Sequence, residues 1–105
     1  MKKLLISIAV ITALGLSAGV RAQDAVKLAQ EKACLACHQI DKKLVGPSYK
    51  EISKKYAGNK TAEATLMKKV REGGTGVWGQ IPMPPNTGVN EKEAAILVKW
   101  ILSQK

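Results

Sequence analysis

No phenylalanine occurs anywhere in this 105-residue chain, and only two tryptophans and two tyrosines stand in for it. Aromatic rings carry much of the burial in a small core, so their scarcity limits what the chain can fold into unaided. The N-terminus tightens that limit. Met1-Lys2-Lys3 precedes an apolar run from Leu4 to Leu16, and Ser17-Ala18-Gly19-Val20-Arg21-Ala22 follows, with Val20 and Ala22 at the small-residue positions of a cleavage site. A charged start, a short apolar centre and a small-residue end describe an export signal. A retained anchor is the alternative, because Leu4 to Val20 is nearly long enough to span a bilayer. Residues 1–22 are therefore read as a cleavable signal peptide and 23–105 as one mature domain of 105 − 22 = 83 residues. At that size a hydrophobic core supplies only about 3–5 kcal/mol, so a further staple is expected.

Export permits a disulfide, but the only two cysteines, Cys34 and Cys37, would close a loop too short to constrain the unfolded chain much. Their context points elsewhere. Cys34-Leu35-Ala36-Cys37-His38 reads as a c-type haem attachment motif. Thiols three residues apart can reach two vinyl groups on neighbouring edges of one porphyrin, and the next residue then lies where an imidazole can bind iron. A covalent, largely apolar ring would also fill the core that the missing aromatics leave. A thioredoxin-like pair needs a βαβ surround. A zinc site needs about four ligands, and Cys plus His number only three here. His38 is the sole histidine, hence the sole candidate for the proximal position. It must bind as neutral imidazole with its other nitrogen held by an acceptor, and a carbonyl of the Gly46-Pro47 stretch is a candidate.

The surrounding pattern is all-α. Asp24 can cap a first helix through Ala25–Ala33 with Val26, Ala29 and Ala33 on one side. Ser48-Tyr49-Lys50-Glu51 reads as a capping box opening a second helix, with Tyr49, Ile52 and Tyr56 as its apolar stripe and Gly58-Asn59 as its stop. A third spans about Thr61–Glu72, with Ala62, Leu66 and Val70 stacked. Five Gly and three Pro between Gly73 and Gly88 forbid regular structure. Asn90, with Glu93 three residues on, opens a last helix whose inner face is Ala94, Leu97 and Ile101, with Trp100 beside them.

The sixth iron position decides between electron transfer and chemistry. Met67 falls between Leu66 and Val70 and reads as core filler. Met83 lies in Gln80-Ile81-Pro82-Met83-Pro84-Pro85-Asn86, where no helix can form. Flanking prolines present its thioether from a stiff segment. His/Met ligation leaves iron no open position and raises its potential relative to His/His. Two rivals stay open at this point. One is a haem enzyme or gas sensor, if Met83 does not bind; the other is a haem-free thiol oxidoreductase using Cys34 and Cys37.

Over the whole mature chain the sequence resembles the short class I bacterial cytochromes c of the c-551/c-552 (cytochrome c8) group. The resemblance rests on the haem motif, Val45-Gly46-Pro47-Ser48-Tyr49, the segment Gly76-Val77-Trp78-Gly79-Gln80-Ile81-Pro82-Met83-Pro84-Pro85-Asn86, and the ending Lys99-Trp100-Ile101-Leu102-Ser103-Gln104-Lys105. It implies about four helices wrapped on one covalent haem c, with the terminal helices crossing. It implies thioethers at Cys34 and Cys37, iron ligands His38 and Met83, and a Pro47 carbonyl bonded to His38. Trp78 is implied near a haem propionate and Asn86 against the Met83 sulfur. Lys69 stands where relatives often carry Arg as a propionate partner, and Ala33 replaces a Gly common just before the motif.

Lys+Arg 17 minus Asp+Glu 8 gives +9, or 14 − 8 = +6 once Lys2, Lys3 and Arg21 leave. No base-reading element or stacking array accompanies the charge, so nucleic acid is not an expected partner. Lys42-Lys43, Lys54-Lys55 and Lys68-Lys69 read as solvated faces whose field steers acidic partners. The expectation is a periplasmic, monomeric electron carrier, not an enzyme, with no stable membrane insertion after cleavage. By resemblance its donor is a quinol-oxidising complex, and its acceptor a terminal oxidase, nitrite reductase or peroxidase.

Overall fold

A computed structural model describes residues 21–105, so the segment Leu4–Leu16 read as the core of the export signal lies outside the described residues. Four α-helices follow one another: α1 (Ala22–Glu31), α2 (Tyr49–Lys55), α3 (Ala62–Glu72) and α4 (Glu91–Leu102). A single 3-10 turn, Cys34–Ala36, lies between α1 and α2. The described residues contain no strand, only isolated bridges at His38–Lys43 and Gly74–Met83.

Caps set most helix boundaries. At α4 both halves of the box form: the Asn90 side chain accepts from Glu93 N at 2.8 Å, and Glu93 Oε1 accepts from Asn90 N at 3.1 Å. Such a cap contributes about 1 kcal/mol. At α2 the Ser48 hydroxyl accepts from Glu51 N at 3.1 Å. Helix α3 starts where Asn59 Oδ1 accepts from both Thr61 N and Thr61 Oγ1, each at 2.9 Å. Helix α1 departs from the expected boundaries at both ends. It begins at Ala22 after Arg21, with Asp24 inside its first turn rather than capping it. It ends at Glu31, and Ala33 has left the helix with φ +61 and is exposed. The chain must swing away there to place Cys34, which overrides the local helix preference of alanine.

Helix α4 packs against the other three helices. Ala25 and Ala29 of α1 and Ala94 of α4 are fully buried, and side chains this small let helix axes approach closely. Leu97 and Val98 are at most 1% exposed, each stabilising by roughly 1.5–3 kcal/mol through lost water contact. Tyr49, Ile52, Leu66, Val70 and Trp100 complete the same cluster, with Met67 and Tyr56 packed at its margin. Val98 is buried as well, one position wider than the expected stripe on α4. The Ser53 hydroxyl donates to Leu102 O at 2.8 Å and fastens α2 to the end of α4.

Candidate metal centre

The helices leave one apolar cleft of about 220 Å³, and the segments before α2 and after α3 form its two walls. Cys34, Cys37, His38, Pro47, Lys69, Trp78 and Met83 all line it. Seven residues singled out from the sequence thus share one cavity.

On the first wall, the left-handed Ala33 turns the chain into Cys34–Ala36 and brings both cysteines round to the cleft. Both are free and half-buried. Burial pushes the Cys34 thiol above its ordinary value, with a backbone hydrogen bond opposing. A thiol held protonated is the reverse of an activated redox cysteine. The loop is then closed on itself by Gly46 N donating to Cys37 O at 2.8 Å, and it docks onto α2 through Tyr49 N to Gln39 O at 2.9 Å.

His38 is held from three directions. Its Nδ1 lies 2.7 Å from Pro47 O. A carbonyl can only accept, so Nδ1 carries the proton and Nε2 keeps its lone pair for a metal. Gly46 lies against the same ring: a Cβ there would come within 2.5 Å of His38 Cε1. The Tyr49 ring stacks on the imidazole with centroids 5.4 Å apart and planes 22° apart. Tyr49 in turn meets Trp100 edge-on at 5.1 Å.

The second wall is the Gly- and Pro-rich loop. Met83 N donates to Gly74 O at 2.8 Å and Met83 O accepts from Gly74 N at 3.0 Å, so both backbone groups of the methionine are engaged. Gly73, at φ +77, allows that approach, because a Cβ would clash with Met83 O and lie 2.8 Å from Pro85 N. Beyond the prolines, Asn86 N donates to Val70 O at 3.0 Å and Asn86 Nδ2 to Lys32 O at 2.9 Å. One residue therefore fastens the loop to α3 and to the end of α1. The resemblance set this amide against the Met83 sulfur; one of its two hydrogens goes to Lys32 instead. Lys32 Nζ also donates to Gly88 O at 2.8 Å.

At the rim, Trp78 is 41% exposed and the Lys55 ammonium sits 5.3 Å from its ring centroid. Lys69 is half-buried in the cleft and has no carboxylate partner among the described residues. Lys43 lines the cleft too. Of the paired lysines read as solvated faces, Lys43 and Lys55 are exposed but also border the cavity or its tryptophan, while Lys69 is half-buried.

The donor set fits a covalently attached haem: two thiols, a directed imidazole nitrogen, one thioether and apolar walls. The cleft also holds a polar atom awaiting a partner, since the Tyr49 hydroxyl is buried with no hydrogen bond. Burial pushes the pKa of that hydroxyl well above the ordinary phenol value, and nearby Cys34 and Cys37 add to the shift. The sequence placed Tyr49 in the apolar stripe of α2, offered Gly46 only as part of the stretch whose carbonyl could hold His38, and assigned Gly73 and Lys55 no part in the site. Pro47 beside Gly46 was the available hint for that glycine, whereas Gly73 stands between Glu72 and Gly74 with no proline beside it, and nothing in the string announces Lys55.

Comparison with known proteins agrees with this geometry. The profile of the cytochrome c family matches residues 22–105. Cytochrome c-551 of Pseudomonas aeruginosa is 51% identical over 90 residues, covering 86% of both chains. Cytochrome c-552 of Hydrogenobacter thermophilus is 51% identical over 79 residues, covering 75% of this chain and 80% of the relative. The crystal structure of Nitrosomonas europaea cytochrome c552 superposes with a TM-score of 0.74 at 48% identity, covering 76% of this chain and 99% of that one.

Proposed function

The chain belongs to the cytochrome c family, and on that premise we propose that it is a periplasmic one-electron carrier with His38 and Met83 as the axial ligands of its haem iron. The family brings one covalently bound haem c and the role of an electron carrier, not an enzyme. We assign the thioethers to Cys34 and Cys37, which are the only cysteines. The observation that carries the reading is the convergence of both cysteines, the only histidine and a doubly tethered methionine on one apolar cleft.

A haem bound there supplies one-electron exchange between ferric and ferrous iron. The protein contributes what that exchange needs. Pro47 O fixes the His38 tautomer and raises the basicity of the ring. Prolines and two backbone bonds hold Met83, so little rearranges when the metal changes charge. Apolar walls exclude water. Lys69, a point donor rather than a planar fork, and Trp78 are candidate partners for the propionates, and the second Asn86 hydrogen is the candidate donor to the Met83 sulfur. With His38 and Met83 both holding the iron, a small molecule would find no open position there.

The export reading supports removal of residues 1–22 and residence in the periplasm as a monomer; no helix among the described residues is long and apolar enough to cross a membrane. The donor would be a quinol-oxidising complex and the acceptor a terminal oxidase, nitrite reductase or peroxidase, met through the positive field around the cleft. A spectrum of both oxidation states with a redox titration tests the assignment. The ferric form should show the weak far-red band of sulfur on iron. Met83→Ala should keep covalent haem, lose that band and lower the midpoint markedly. An unchanged midpoint in Met83→Ala removes Met83 as ligand.

A further inference from the structure

The Tyr49 hydroxyl is the one buried side-chain polar atom among the described residues that lacks a hydrogen-bond partner. The residue is 1% exposed, its ring is clamped between His38 and Trp100, and it lines the cofactor cleft beside Cys34 and Cys37. Buried polar groups in native proteins are almost always paired, and nothing in the protein pairs this one. Even the two cysteine sulfurs, potential weak acceptors, make no bond to it. The stack on His38 and the edge contact with Trp100 hold the phenol ring from two sides.

Building on the haem-carrier reading above, we propose that Tyr49 is a positioning residue whose hydroxyl donates a hydrogen bond to the electron-rich conjugated ring of the bound haem while its ring holds the plane of His38. Both contacts meet the redox centre from the histidine side. An O–H dipole with its positive end toward that ring favours the state carrying more negative charge, the reduced one. It therefore raises the midpoint and stabilises the holoprotein.

Tyr49→Phe isolates the hydroxyl, because it keeps the stack on His38 and the contact with Trp100. In the holoprotein the ratio of reduced to oxidised forms at fixed ambient potential should fall about three- to tenfold, the upper end being ~59 mV for one electron. Thermal unfolding should also move down by roughly 4–8 °C. If the hydroxyl stays orphaned beside the haem, its removal instead relieves an unmet desolvation cost and the protein becomes more stable. The sign of that change separates the two cases. Val89→Ala, in the core but not lining the cleft, serves as the packing control and should lower stability without moving the midpoint. A measurement on the unmutated ferrous protein stands independently: the Tyr49 hydroxyl proton should appear in the NMR spectrum shifted by the porphyrin ring current. An unmoved or raised midpoint in Tyr49→Phe, an equal or higher stability, or an unshifted hydroxyl proton each overturns the proposal. The far-red band persists in Tyr49→Phe whichever way these results fall, so the assignment of His38 and Met83 is judged separately.

Discussion

The two walls of the cleft are both irregular chain, yet they are held by different physics. The wall carrying His38 is a hydrogen-bonded loop. Gly46 N reaches Cys37 O, Leu44 N reaches Gly46 O, and Tyr49 N and Lys50 N reach Gln39 O and Ile40 O. Its proposed ligand, His38, is then locked by Pro47, Gly46 and Tyr49 together. The wall carrying Met83 has prolines at 82, 84 and 85, which cannot donate, and depends on the Gly74–Met83 pair and the anchors at Asn86. One proposed ligand is fixed by converging contacts; the other rides on a segment made stiff by its covalent geometry and tied at few points. The methionine side should therefore yield first under denaturant or heat, with the histidine side and the covalent attachment persisting.

Substitutions at the two glycines test that contrast with the largest effects. Gly46→Ala forces a methyl group into the His38 ring and should destabilise by about 1–3 kcal/mol or more, read in denaturant melts, with the midpoint perturbed through the histidine. Gly73→Ala combines a strained φ, itself about 1–2 kcal/mol, with a clash at Met83 O. It should weaken or abolish the far-red band while covalent haem survives. If Gly73→Ala leaves the band intact and Gly46→Ala removes it, the two walls have been ranked the wrong way round.

A smaller effect comes from where the chain enters the histidine wall. Ala33 sits at φ +61, a region natural to glycine. Ala33→Gly should raise stability by about 1 kcal/mol, a few degrees in thermal midpoint, with the spectra unaltered; a loss of stability there would mean that the left-handed turn is not adopted. Removing the α4 cap with Asn90→Ala should cost ~1 kcal/mol without touching either ligand. Least of all, breaking the exposed Lys50–Asp41 ion pair with Asp41→Asn should change stability by at most about 0.5 kcal/mol, despite its place on the histidine wall.

Much of this was legible in the residue string because it is local. Capping at Asn90 and Ser48, the interruption by glycine and proline after Glu72, and the haem motif are decided within a few positions. The resemblance then paired His38 with Met83 across 45 positions (83 − 38). Reading failed where local preference met a long-range demand. Ala33 is a good helix former, and its pattern extends α1, but the cysteines must turn into the cleft. Lys55 looked like any solvated lysine until the fold laid Trp78 beneath it.

The sequence by itself determined the covalent chemistry, the helical class and the stiffness of the methionine segment, since each follows from bonds and torsions inside a short stretch. Tertiary structure alone decided that Gly46 must lack a side chain, that Asn86 joins α1 to α3, and that a tyrosine of the core lies flat on the histidine. Those facts depend on which atoms meet in space after packing, and no spacing along the chain encodes such a meeting.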